Sequence, residues 1–128
     1  MVTTALVDSL IKDGKVLLDE LQRQGIQIEA ALWLYDTDSE EWRLSIASSE
    51  LLRRSREEAY AVIQNALMAI PKRSITLSNV TISALSDPIV KALRSVITID
   101  SVGAGIRISR SAFNNVYIED AYIYLLKR

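Results

Sequence analysis

Strict alternation over residues 26–49, IQIEAALWLYDTDSEEWRLSIASS, constrains this chain more than any other stretch. Successive side chains of a strand point to opposite sides, so Ile26, Ile28, Ala30, Leu32 and Leu34 share one face. Gln27, Glu29, Ala31, Trp33 and Tyr35 take the other. The polar run 36–41 is rich in turn-favouring residues, and alternation resumes with Trp42, Leu44, Ile46 and Ser48 against Arg43, Ser45 and Ala47. The stretch therefore reads as a β-hairpin. Placing both aliphatic rows against one core pairs Leu34 with Leu44 and Leu32 with Ile46, because a slip of one residue swaps every side chain between faces. Tyr35 then faces Arg43 and Trp33 faces Ser45, and a pairing of Tyr35 with Trp42 would contradict this register.

The flanking sequence supplies helices and three more strands. Residues 4–24 carry Leu6, Leu10, Leu17 and Leu21 at helical spacing, with Gly14 inside and Gly25 where a C-terminal glycine is expected. Gly14 costs about 1 kcal/mol relative to alanine, which close packing or a kink would explain. Ser55 and Glu58 have the spacing of a capping box, opening a helix that buries Ala59, Ile63, Ala66, Leu67 and Ile70 and stops at Pro71. Residues 49–54 form an extra helical turn before it. Residues 75–85 alternate as a third strand, strongest over 80–85. Asp87-Pro88 starts a short third helix through Ile97. Residues 106–110 and 116–126 make a second hairpin around a loop at 111–115. The order α-β-β-α-β-α-β-β implies a single α+β domain over residues 1–128, with a mainly antiparallel five-stranded sheet and three helices on one face.

Composition narrows the chemistry. The 128 residues suit one domain, and an apolar share of 49% is that of a globular chain. A net charge of −1 argues against binding nucleic-acid phosphates as the main activity. Without cysteine or histidine, this chain holds no disulfide, no thiolate nucleophile, no Cys/His zinc site and no Ser-His-Asp triad. The start MVTTALVDSLIKDGK is not a secretory signal, and no apolar run is long enough to span a bilayer. A cytoplasmic protein with no membrane contact and no cofactor is the expectation.

Candidate motifs mostly dissolve on inspection. The acidic run 36–41 lacks the glycine a calcium loop needs at its sixth position, here Glu41, and the glutamate at its twelfth, here Ala47. Gly103-Ala104-Gly105 precedes a strand instead of opening a helix, and Ile108 stands where a dinucleotide fingerprint needs a small residue. Pairing Ile108 with Ile118 sets Arg107 opposite Glu119 and puts Asp120 on the core face. Such an Asp120 is a desolvated carboxylate suited to general-base work, or is released outward by a β-bulge at 119–120, or lies in a strand covered on both faces. Arg53, Arg54, Arg56, Lys72, Arg73, Lys91, Arg94, Lys127 and Arg128 read as solvated surface.

The outer sheet face of this arrangement carries Trp33, Tyr35, Arg43, Arg107 and Tyr117, with Thr81, Ser83, Ser109 and Glu119 between them. Tyrosine, tryptophan and arginine combine contact area with hydrogen-bonding tips and are enriched at protein interfaces. The segments WLY, EWRL and EDAYIY resemble those of small uncharacterised bacterial proteins of similar length. That resemblance implies a bacterial origin and carries over no activity, cofactor or catalytic residue. The expected function is a non-enzymatic interaction module, self-associating as a homo-oligomer or docking a protein through Trp33, Tyr35, Arg43, Arg107 and Tyr117. Two alternatives compete with it: a metal-dependent hydrolase using Asp36, Asp38, Glu119 or Asp120, and a single-stranded nucleic-acid binder using Arg43 and Arg107.

Overall fold

A computed structural model describes residues 6 and 8–128. Helix α1 spans Asp8–Arg23, so its expected start at Thr4 lies outside the described residues. It ends as its glycine requires. Gly25 has φ 86°, its N–H donates to the Gln22 carbonyl, and the Ile26 N–H donates to the Leu21 carbonyl. Those two bonds are the Schellman closure, which needs a left-handed residue at that position.

Strands β1 (Ala30–Asp36) and β2 (Glu41–Ala47) form the expected hairpin, but one residue out of the expected register. Tyr35 pairs with Trp42, Trp33 with Leu44 and Leu34 with Arg43. Alternation fixes a register only where one face is covered, and this sheet is covered on both. Ala31, Trp33 and Tyr35 join Trp42, Leu44 and Ile46 in the larger core under α1, the single turn α2 (Ser49–Leu52) and α3 (Arg56–Met68). Ala30, Leu32 and Leu34 pack on the opposite face with Val90 and Leu93 of α4 (Pro88–Arg94). With both rows buried, burial cannot choose the register; the turn does. The Asp36 carboxylate accepts from the N–H groups of Asp38 (2.9 Å) and Ser39 (3.4 Å), and Glu40 takes φ 57°. An aspartate capping its own turn in this way closes the loop over residues 37–40.

Among the described residues the sheet has five strands in the order β3 (Val80–Ser83), β2, β1, β5 (Val116–Leu126), β4 (Ile106–Phe113), and it is mixed. Strand β3 runs parallel to β2; the other neighbours are antiparallel. Among the described residues four α-helices, not three, cover the sheet, and they lie on both faces. The local start signals hold: Ser55 Oγ accepts from the Glu58 N–H, and Asp87 Oδ1 from the N–H groups of Ile89 and Val90. No helix among the described residues is long and apolar enough to cross a membrane.

Strands β4 (Ile106–Phe113) and β5 (Val116–Leu126) meet in a two-residue turn, Asn114-Asn115, with φ 48° and 64°. Paired positive φ angles are those of a type I′ turn, which fits the twist of a hairpin. This turn is shorter than the expected loop and shifts the register: Ile108 pairs with Ala121, not Ile118. Ile118, Ala121 and Ile123 all reach the α4-side core, so the pleat changes phase at Glu119 and Asp120. Opposite that point Arg110 adopts φ 45°. The phase change turns Asp120 away from the α4-side core, but without the expected β-bulge, since β4 and β5 keep one register from Ile106 to Phe113.

Candidate functional site

The corrected register disperses the expected outer face. Trp33 is 0% exposed and Tyr35 8%, so neither presents a surface to a partner. The Trp33 Nε1–H donates to Tyr124 Oη (2.8 Å), and the Tyr124 hydroxyl donates to the Ile11 carbonyl (2.5 Å). Gly14 lets this pair approach α1: a Cβ there would stand 2.9 Å from Trp33 Nε1 and would overlap the Tyr124 hydroxyl. Tyr117 remains open at 58% exposure on the β4–β5 arm, its hydroxyl donating to Glu119 at 2.7 Å.

Arg107 finds a different carboxylate from the one expected. Its Nε and Nη2 donate to Asp120 Oδ1 and Oδ2 at 2.6 and 2.7 Å, and Ser109 Oγ adds a bond to Oδ1 at 3.1 Å. The guanidinium also lies 5.3 Å over the Trp42 ring, which meets Tyr35 edge-on. Burial pushes the Asp120 carboxyl up, but the bonds from Arg107 and Ser109 and the arginine charge outweigh it and hold the carboxyl below the ordinary range. Both Asp120 oxygens are thus engaged and the carboxylate is stabilised in its ionised form.

The other carboxylates of the hydrolase alternative do not join it. Asp36 closes its own turn and Glu119 holds Tyr117. No group of three or more His, Cys, Asp or Glu side chains converges on a metal-sized point among the described residues. Gly105 is explained without phosphate. Its N–H donates to Tyr122 Oη (3.1 Å), and a Cβ would run into the Tyr122 ring.

Arg43 is the expected site residue that does line a cleft. It lies beside β3, where its Nε donates to Thr81 Oγ1 at 3.1 Å. A cleft of ≈ 670 Å³ opens there between Arg43, Leu77, Ser78 and Val80 on one side and Arg56, Glu57 and Tyr60 of α3 on the other. A second cleft of ≈ 260 Å³ continues past Arg56 and Tyr60 to Leu51, Leu52, Arg54 and Ile82. Because both share Arg56 and Tyr60, they form one trough between α3 and β3, the edge strand. Its cations exceed its anions, three arginines to Glu57. Arg43 and Arg54 lie 3.8 and 3.5 Å from Glu41 and Glu50, while among the described residues Arg56 has no carboxylate within ion-pair distance. The Arg56 guanidinium sits instead 5.2 Å over the Tyr60 ring, and Tyr60 Oη accepts from the backbone N–H of Ile82 at 3.2 Å.

In the sequence Arg54 and Arg56 read as solvated surface, and no motif marks Tyr60. One signal was present: Arg56 and Tyr60 are four apart on a helix and so share a face. On the other sheet face Leu34, Arg43, Ser45, Thr81, Ser83 and Ile89 border a cleft of ≈ 250 Å³, floored by the hydrogen-bonded Ser45 and Ser83 hydroxyls.

Against family models, curated proteins and solved structures, the chain finds no match.

Proposed function

We propose that the protein is a non-enzymatic interaction module that docks a protein partner in the trough between α3 and β3. One observation carries this reading: a cleft of ≈ 670 Å³ runs along a sheet edge and is lined by Arg43 and Arg56 against a single carboxylate, Glu57, in a chain whose net charge is −1. A local excess of arginine beside an aromatic side chain is the composition of interface hot spots. Peptides selected at random on phage against the folded protein test it. Enriched binders are expected to share a motif and to lose binding to the Arg43→Glu, Arg56→Glu double variant. Binders that hold the double variant as tightly as the wild type would refute the trough as the docking site.

Self-association is a second reading, favoured by one observation: Ile106 and Tyr117 are large, exposed apolar side chains on the β4–β5 arm. Sedimentation equilibrium checks it, with a wild-type dimer and a monomeric Tyr117→Ser variant as the supporting result.

A further inference from the structure

We infer that the trough takes an extended, acidic segment of a partner protein, added as a strand to β3, and that the Tyr60 hydroxyl holds the place of that segment's backbone. This rests on the reading of the trough as a docking site.

Thr81 and Ile82 lie beside Ser45 and Ile46 of β2, and among the described residues no strand lies on the other side of β3. The Ile82 N–H points away from β2, because it donates to Tyr60 Oη. The N–H and C=O of one strand residue point to the same side, so the Ile82 carbonyl faces the trough as well. In an antiparallel added strand, one peptide residue would exchange both bonds with Ile82. Its carbonyl would replace the Tyr60 oxygen. A tyrosine hydroxyl can fill that role in the free protein and leave it by a side-chain rotation, with no backbone change. The cover is local: β3 is four residues long, so the added segment needs only about 13 Å of extended chain.

The side chains around this edge select the occupant. Arg43 and Arg56 line one end, and Arg54 joins Leu51 and Leu52 at the other, with Leu52 48% exposed. Alternate residues of an added strand would point to the same side, so acidic side chains two apart would meet arginine while an apolar residue meets Leu52. A nucleic-acid strand fits less well. Tyr60 is the one aromatic lining the trough, its face is taken by Arg56, and the Ile82 amide matches a peptide carbonyl. A second copy of this chain does not supply the segment from its own acidic run, since residues 36–41 are closed into a turn by Asp36.

The probe is a fluorescein-labelled hexapeptide alternating glutamate and valine, with a lysine–valine hexapeptide and a thymidine hexanucleotide as comparisons, read by fluorescence polarisation. Only the acidic peptide is expected to bind, with at least about tenfold loss in Arg56→Glu. Tyr60→Phe uncovers the Ile82 N–H, and removing one competing hydrogen bond is expected to tighten the peptide by about threefold to tenfold. Independently of any variant, peptide titration into wild type should shift the Ile82 amide resonance and slow its hydrogen exchange. If the peptide binds with no change at Ile82, or Tyr60→Phe folds and binds no tighter, strand addition is wrong while the docking trough stands. If the oligonucleotide binds better with the same Arg56 dependence, the acidic peptide is the wrong ligand class. Phage-selected binders that ignore Arg43 and Arg56 would instead remove the docking reading itself.

Discussion

Replacing Tyr124 by phenylalanine deletes one oxygen from the centre of the molecule and leaves its ring in place. Tyr124 is 1% exposed, packed edge-on against Tyr122, and its hydroxyl both accepts from Trp33 Nε1–H and donates to the Ile11 carbonyl. The two lost bonds are not equivalent. The Ile11 carbonyl lies inside α1, where helix geometry gives it the Lys15 N–H as a second partner. The Trp33 N–H is in a fully buried ring and has no such reserve. The cost therefore falls on one stranded donor, about 1–3 kcal/mol. Urea unfolding should show the midpoint falling at an unchanged slope, since the surface exposed on unfolding hardly changes. Pairing the change with Trp33→Phe separates this account from general loosening. Once the indole N–H is gone, deleting the hydroxyl strands no donor, so the double variant should be at least about 1 kcal/mol more stable than additivity predicts. A loss below about 0.5 kcal/mol for Tyr124→Phe, or additive losses in the pair, would refute the reasoning.

Two further outcomes are expected. Gly14→Ala should gain about 1 kcal/mol of helix propensity yet be destabilising overall, by about 1–3 kcal/mol from overpacking against Tyr124 and Trp33; a rise in melting temperature would show that the approach of α1 is slack. Asp120 sits below the ordinary carboxyl pKa in the fold, so its contribution is complete above its unfolded value, about 4, and is lost as the pH falls through the folded value. The stability gap between wild type and Asp120→Asn should therefore be largest near neutrality and shrink on acidification below about pH 4, as urea midpoints at several pH values would record.

What the sequence discloses about this fold is mostly local. Gly25, Ser55 and Asp87-Pro88 each answer a need of nearby backbone groups, and each sits where it was expected. The hairpin register was illegible for a physical reason. Leu32 and Trp33 are both fully buried, so neither row marks an outside, and alternation loses its power to choose. The Asn114-Asn115 turn was readable in principle from two residues that tolerate positive φ, but the apolar run beside it did not mark its length. The parallel pairing of β3 with β2 leaves no short-range trace. For the site, Arg43 was legible as a member of an outer-face row with Trp33 and Tyr35, whereas its relation to Arg56 and Tyr60 is made by the passage of α3 alongside β3 and by no spacing in the chain.

The position of β5 has a consequence for how the molecule is made. It is the last strand in chain order, yet it lies between β1 and β4, and Leu34 of the first strand pairs with Ala121 of the last. Closing a contact between such distant residues pays a larger loop entropy before any reward and slows folding. During synthesis the β1–β2 hairpin therefore waits with one side of β1 unpaired and with Trp33 lacking its Tyr124 partner. An apolar strand edge held open in this way is the species most exposed to wrong pairing with another nascent chain. The centre of the sheet, hydrophobic on both faces, is completed only after residue 126 has emerged.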